Sequence, residues 1–470
     1  MTKSPMLIAL CILLLSSCQV QENDRFPNIV VIFTDDLGYG DLGVFGHPTI
    51  ATPHLDRMAR EGLKFTQFYS GASVCTPSRA ALLTGRLPIR SGMASSQTRV
   101  LFPFSTSGLP ASEITIAEMV KERGYATGIF GKWHLGHLPQ FLPTAHGFDE
   151  YFGVPYSNDM RPTPESRWVA AQNYPPLPLL ENDSLIEESP DQRLLTKRYT
   201  EKAIDFMTRH SEKPFFLYVP HTFPHIPLYA STDFKGKSAR GLYGDVVEEL
   251  DWSVGEILQA IRDLKLEEET LVIFTSDNGP WLVMNEEGGS AGLLREGKGS
   301  TWEGGMREPT IAWWPGTIAA GQVTQSLATM MDILPTAAEL CEWQIPEDRT
   351  FDGISLIPIF NDTQAEVREV VFYYLGAELF AVRKGPWKLH FKTLTPYVGQ
   401  QAESHDPPLL YHLLHDPSEL QNVAEDHPEM VQDLRTVAQE HLNSFVPPPS
   451  ELEKIDTALY NGSKSYPAFY

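Results

Sequence analysis

One of the four cysteines in this chain stands in the polar stretch SVCTPSRAALLTG, against Pro77 and Arg79. A structural thiol belongs on an apolar face, as a small hydrophobe, and the surroundings of Cys75 in sequence are the opposite. Pro77 suits the first position of a helix, SRAALL propagates it, and Gly85 is placed to end it. Position 75 then lies near the positive end of the helix dipole, where an oxyanion or sulfate is stabilised, and Arg79 follows one turn up the same face. Two chemistries fit: a thiolate nucleophile of low pKa, or a modified cysteine. Elsewhere, Asp35, Asp36, Asp277 and the amide oxygen of Asn278 make an all-oxygen, hard ligand set. Such a set suits Ca²⁺ or Mg²⁺, while zinc would favour His or Cys. A missing ligand could come from a substrate oxygen or from a group at position 75.

These residues are far apart in sequence, so their positions depend on the elements that precede them. NIVVIF runs into Asp35 and Asp36, and ATGIFG into Lys132 and His134. PFFLYVP runs into His221 and then His225, and ETLVIFT into Asp277 and Asn278. Apolar strand-like runs alternating with amphipathic helices predict a parallel sheet covered on both faces. In such sheets ligands collect at the carboxyl ends of strands. Each motif alone is ordinary: Asp-Asp after a strand is commonly a turn or a cap, and SDNGP reads as a plain turn. Four such strand ends together predict one site.

Hydrophobic residues at 42% and charged residues at 21% describe an ordinary folded chain of 470 residues. A formal net charge of −23 argues against nucleic acid or an anionic membrane surface as partner, because both require a basic footprint. An anionic substrate has to be met by local positive charge. At the N-terminus, Lys3 precedes MLIALCILLL, which is too short to span a bilayer and fits a secretory signal. LLSSCQV resembles a bacterial lipobox, making 1–18 a lipoprotein signal with Cys18 lipidated, and 19–27 a tether. Cleavage by an ordinary signal peptidase is the alternative. The expectation is export to the bacterial cell envelope, anchored at the outer membrane by lipid alone or free in the periplasm. Cys75 and Cys341 then remain, too few for a disulfide scaffold. Cys341, on the helical pattern TAAELCEW, reads as a core filler.

Taken together, CTPSRAALLTGR and GYATGIFGKWHLG resemble the two signatures of the type I, formylglycine-dependent sulfatases, in the branch of arylsulfatase A and N-acetylgalactosamine-6-sulfatase. The similarity continues through TDDLGYGDLG, TPHLDRMAREG, GFDEYFGVPYSND, LVIFTSDNGP, GKGSTWEGGMREP, FAVRKGPWKLHF and PPLLYHLLHDPSE, from Asn28 to about His427. The resemblance implies that Cys75 is oxidised to Cα-formylglycine by a formylglycine-generating enzyme. It implies one Ca²⁺ held by Asp35, Asp36, Asp277 and Asn278, with position 75 as a further ligand. Arg79 and Lys132 would hold the formylglycine hydrate, and His134 would act on it as base. His225 would protonate the leaving alcohol, Lys298 would contact the sulfate, and Ser157 matches a serine beside the family's site. Asn158 departs from the histidine that arylsulfatase A-like members often carry. In this chemistry one hydroxyl of the hydrate attacks sulfur and the alcohol departs. The second hydroxyl then expels sulfate and restores the aldehyde.

The implied fold is α/β and alkaline-phosphatase-like: a large mixed, mostly parallel sheet sandwiched by helices, with a smaller C-terminal α+β subdomain. The expected division is a catalytic domain at 28–345 and a C-terminal subdomain with tail at 346–470. Residues 161–192, rich in Pro and acid, read as a surface excursion. VVFYYL, LFAVRKG and WKLHFK predict antiparallel strands, HPEMVQDLRTVAQEHLNSF a closing amphipathic helix, and the tail from VPPPS an irregular segment. The expected substrate is an aryl or carbohydrate sulfate, with sulfated galactose or N-acetylgalactosamine suggested by the branch. Two rivals remain open: a phosphatase or phosphonate monoester hydrolase of the same superfamily, and a non-catalytic lipoprotein that binds sulfated glycans.

Overall fold

The computed structural model describes residues 25–396 and 401–466. The signal at 1–18, its lipobox cysteine and the tether as far as residue 24 lie outside the described residues. In chain order the strands of the larger part are β1 (Asn28–Thr34), β2 (Leu63–Phe65), β3 (Phe68–Tyr69), β4 (Ala126–Phe130), β5 (Glu150–Gly153), β6 (Pro178–Glu181), β7 (Ser184–Glu188), β8 (Phe215–Pro220), β9 (Thr270–Ser276), β10 (Thr310–Trp313), β11 (Gln322–Thr324) and β12 (Ala328–Thr329). Ten of them form one sheet in the order β11-β2-β10-β9-β1-β8-β4-β5-β6-β7, and β3 pairs with β12 alone. The central run β9-β1-β8-β4-β5 is parallel.

Every residue of β1 is buried, which requires cover on both faces. Val30 and Ile32 share one core with residues of the helices Leu195–Arg209 and Leu242–Asp263, among them Phe206, Leu250 and Ile257. Ile29, Val31 and Phe33 point the other way, into a core with Leu82, Ile116 and Ile333. Cys341 is fully buried in that second core, as a filler. The alternation of a strand thus divides its side chains between two helical layers.

The C-terminal sheet contains β13 (Val370–Leu375), β14 (Glu378–Lys384), β15 (Trp387–Thr393) and β16 (Glu403–His412), all antiparallel in that order. The helix Pro428–Asn443 packs Leu434 and Ala438 on Val382 and Leu389 of one face. From the other face, Tyr373 and Ala381 pack against Tyr69 and Met306 of the larger part. A buried charged cluster crosses this junction. Lys388 lies 2.9 Å from Glu303 and 3.1 Å from Glu419, which His390 meets at 2.7 Å.

Four expectations need adjusting. The helix after position 74 begins at Cys75 itself, so Pro77 occupies its third position rather than its first; Gly85, at φ +65°, ends it as expected. The stretch 161–192 is not all a surface excursion: β6 and β7 form a hairpin that extends the main sheet, with Leu179 and Leu180 buried in the cores on either face. β16 is a fourth strand that the two prolines in ESHDPPLLYH concealed. The tail is mostly irregular but fastened, with Ile455 bridging to Ser105 and a short helix at Thr457–Tyr460.

Candidate active site

The parallel ladder places the polar residues that follow it. Thr34 of β1 pairs with Ser276 of β9, and Phe33 with Pro220 of β8. Backbone bonds continue past the strand ends: Asp277 N to Thr34 O at 3.0 Å, His221 N to Phe33 O at 2.8 Å, and Lys132 N to Pro220 O at 2.7 Å. Asp35, Asp277, Lys132 and the segment carrying His225 are therefore fixed side by side by main chain alone. Gly131 makes the last approach possible, since a Cβ there would run into the Pro220 carbonyl.

The structure brings the sequence-predicted residues into one buried cluster. Cys75 Sγ donates to Asp35 Oδ1 at 3.2 Å, and Lys298 Nζ stands 3.6 Å from Sγ. Lys132 Nζ bonds Asp35 and, at 3.1 Å, Ser157 Oγ. Lys298 Nζ lies 2.8 Å from Asp36 Oδ2, and His225 Nε2 lies 3.7 Å from the same oxygen. Asn278 Nδ2 donates to Asp36 Oδ1 at 2.8 Å. Arg79 donates to Asp277 Oδ2 at 2.9 Å and to the Lys132 carbonyl at 3.0 Å. His134 is tied to the helix start through its carbonyl, which accepts from Thr76 Oγ1 at 3.0 Å. At 4% and 6% exposed, His225 and Lys298 mark the side that faces solvent, whereas Asp35, Arg79 and Lys132 are at 0%.

Two site residues hold left-handed backbone: Asp36 at φ +66° and His134 at φ +60°. Non-glycine residues take this conformation at a cost, and such positions cluster at functional sites.

Burial and charge set the protonation states. Burial pushes the Asp35 carboxyl up, but Lys132, His225, Arg79 and Lys298 together hold it well below its ordinary value. Burial and the Asp35 charge push Asp277 up to about 7. The Cys75 thiol is pushed well up by burial and by Asp277 and Asp35. His134 is held well below its ordinary value by burial, Lys132 and Arg79, so it is neutral. Its Nε2 meets the Leu101 carbonyl at 2.9 Å and therefore carries the hydrogen, leaving buried Nδ1 as an unpartnered acceptor. His225 is also lowered, by burial and Lys298, and its Nδ1 donates to the Ile226 carbonyl at 2.5 Å.

Ligand-type atoms of Asp35, Asp36, Cys75 and His225 lie within 4.8 Å of one another. Asp277 lies beside this group, its oxygens engaged by Arg79 and by the Asp36 amide. Asn278 Oδ1 is buried without a hydrogen-bond partner. An unpartnered amide oxygen beside two carboxylates is a donor set that fits a hard divalent cation.

Trp281 was not singled out by sequence. Its ring lies 5.5 Å from that of His225 and 4.5 Å from Lys298 Nζ, so it walls the solvent side. Its position three residues after Asn278 was the available signal. Glu308 was missed too: it is fully buried, and burial with the nearby Asp277 charge pushes its carboxyl well up. Asn158, next to Ser157, donates to Gln192 at 2.9 Å and to the Pro227 carbonyl at 3.2 Å.

Residues 27–342 match the family described as Sulfatase. The chain belongs to the sulfatase family. Residues 366–467 match the C-terminal region of aryl-sulfatase. Arylsulfatase A of Bos taurus is 46% identical over 440 residues, covering 86% of each chain. N-acetylgalactosamine-6-sulfatase of Canis lupus familiaris is 42% identical over 474 residues, covering 93% of this chain and 89% of its own. Among solved structures, the PsFucS1 sulfatase from Pseudoalteromonas sp. superposes with a TM-score of 0.82 at 28% identity, over 92% of both chains. The phosphonate monoester hydrolase of Agrobacterium radiobacter shares the fold at a TM-score of 0.60 and 19% identity, over 89% of this chain and 95% of its own. This sulfatase is a sulfuric ester hydrolase with the alkaline-phosphatase-like architecture. Among the described residues, no helix is long and apolar enough to cross a membrane.

Proposed function

We propose that this sulfatase cleaves sulfate esters with a formylglycine made from Cys75, in a site that binds one Ca²⁺, and that its substrates are sulfated sugars of the galactose or N-acetylgalactosamine type. The observation that carries the reading is the position of Cys75. It sits at a helix start, 3.2 Å from Asp35 and 3.6 Å from Lys298, where four parallel strands end. As an aldehyde hydrate, position 75 supplies a hydroxyl to attack sulfur and a second hydroxyl to release the sulfate.

Asp35, Asp36, Asp277 and Asn278 would hold the cation, with position 75 completing the set. It would supply Lewis-acid charge to the sulfate oxygens. Three carboxylates here face three cationic side chains, Arg79, Lys132 and Lys298. With the carboxylates engaged by the cation, Lys132 and Lys298 would be left to meet the sulfate, and Arg79 would stay on Asp277. His134 Nδ1 is the acceptor for a proton from position 75. His225, on the solvent side with Nδ1 fixed on Ile226, presents Nε2 as the atom that carries a proton to the departing oxygen. Ser157 orients Lys132.

A maturation factor that installs the aldehyde and a lipid anchor at Cys18 belong to the same proposal. So does the division into a catalytic domain at 28–345 and a C-terminal subdomain at 346–470. The test compares 4-nitrophenyl sulfate with 4-nitrophenyl phosphate, alongside mass spectrometry of the peptide bearing position 75. Sulfate turnover by protein carrying the aldehyde is expected. Faster phosphate turnover, or full sulfatase activity from protein with only the thiol, overturns the reading.

A further inference from the structure

The segment around Leu101 is fastened to the site from two sides. Leu101 N donates to Thr76 Oγ1 at 3.1 Å, one residue from Cys75, and its carbonyl meets His134 Nε2 at 2.9 Å. The next residue, Phe102, places its ring 5.2 Å from that of Trp168, at 75°. Trp168 belongs to the largely exposed run 161–169, which leaves the buried core four residues after Ser157, itself bonded to Lys132. The His134–Leu101 bond and the Phe102–Trp168 ring contact, added along the chain, put the indole within about 16 Å of His134 Nε2.

Trp168 is 40% exposed yet firmly held. Phe102, Phe104 and Tyr174 all meet it near a right angle, at 5.2, 6.2 and 5.6 Å. Behind them, Tyr460 of the C-terminal tail packs on Phe104 at 5.2 Å, and Thr106 N bonds the Lys454 carbonyl at 2.8 Å. An indole that is both rigid and open is an informative exposure, because a chain gains nothing by holding apolar surface in water. The same run carries Arg161, Glu165 and Arg167, all exposed, and none of the three has an ion pair among the described residues. In a chain of net charge −23, these two arginines outnumber the one acid of the run, Glu165, so the open ring stands in a surface that is locally cationic.

We propose that Trp168, with Arg161 and Arg167, forms a subsite for the sugar unit adjoining the sulfated one: the indole stacks on its ring, and the arginines meet an anionic group on it. The ligand class is an anionic oligosaccharide. The inference rests on the sulfatase reading above and adds to it where the rest of the substrate lies.

The test uses the full chain with three probes. These are 4-nitrophenyl sulfate, N-acetylgalactosamine 6-sulfate, and a trisaccharide in which that sugar is followed by a uronic acid. A probe that is not turned over is read as an inhibitor of 4-nitrophenyl sulfate hydrolysis. Trp168→Ala should raise the KM or Ki of the trisaccharide about tenfold, with Trp168→Phe much closer to wild type. Both should leave kcat and all 4-nitrophenyl sulfate kinetics unchanged. The double change Arg161→Gln, Arg167→Gln should weaken the trisaccharide alone, most strongly at low salt. Unchanged trisaccharide binding in Trp168→Ala, or a wild type that binds the trisaccharide no better than the monosaccharide, overturns the subsite. Absence of sulfate release from all three probes by wild type would instead overturn the sulfatase reading.

Discussion

Cys75 Sγ donates a hydrogen bond of 3.2 Å to Asp35 Oδ1, with both residues almost fully buried. A thiol pressed against a carboxylate is a poor nucleophile, because its ionisation is opposed by burial and by like charge. Such a thiol fits the proposed change of chemistry at position 75 better than an activated sulfur. Activity should track the fraction of protein with an aldehyde at position 75, measured by peptide mass spectrometry. Cys75→Ala should lower kcat by at least about a thousandfold with little change in Tm. Activity that follows the thiol fraction would refute this.

The cation can be followed without turnover. A ligand that binds only the folded state stabilises it, by about 2.7 kcal/mol at a hundred times its Kd. Adding Ca²⁺ to chelator-treated protein should raise Tm, and Zn²⁺ should do so less. Asp277→Ala should remove most of that rise and most of the activity. A variant that keeps both would show that Asp277 does not belong to the site.

The two histidines should fail differently. Proton delivery matters most when the departing alkoxide is a strong base. His225→Ala should thus lose far more on a sugar sulfate than on 4-nitrophenyl sulfate, whose phenolate leaves readily. His134→Ala should release one burst of product and then stall, since the proton acceptor at Nδ1 is gone. Rapid-quench measurement of the burst separates the two. A burst in the His225 variant, with equal losses on both substrates, means the roles are exchanged.

Lys388, fully buried between Glu303 and Glu419, joins the C-terminal sheet to the larger part. Lys388→Met leaves two buried carboxylates short of a partner and should cost about 3–5 kcal/mol. Chemical denaturation would record this, and a loss below about 1 kcal/mol would mean the cluster is replaceable.

His441 docks the C-terminal helix, stacking on Phe372 at 3.6 Å and meeting Tyr374 Oη at 2.9 Å. Burial and Arg90 push its pKa down to about 4 from the usual 6.5. The unfolded chain therefore takes up the proton first, and stability is lost as pH falls from about 6.5 to about 4. His137 and His146, each at about 4, act in the same direction. His441→Gln should flatten the fall of Tm across that window, and an unchanged slope would assign it to other groups.

The sequence by itself was enough for the strands and for the residue types at their ends. NIVVIF and ETLVIFT are apolar on both faces, as a covered parallel strand requires, and the CTPSR and GKWH signatures pointed to the family. Local patterns carried this because strand burial and helix termination depend on neighbouring residues. Where turn signals were ambiguous, the reading slipped: LLENDSLI lies in a stretch that reads as a surface excursion until the main sheet offers its edge, and the prolines of β16 concealed a strand. Tertiary structure alone decided which cation meets which carboxylate, which nitrogen of His134 is left open, and that Trp281 walls the site. It also brought the tail, through Tyr460, behind Phe104 and Trp168. Those relations join residues up to some 360 positions apart, and no periodicity in a chain encodes a contact that depends on how its layers are stacked.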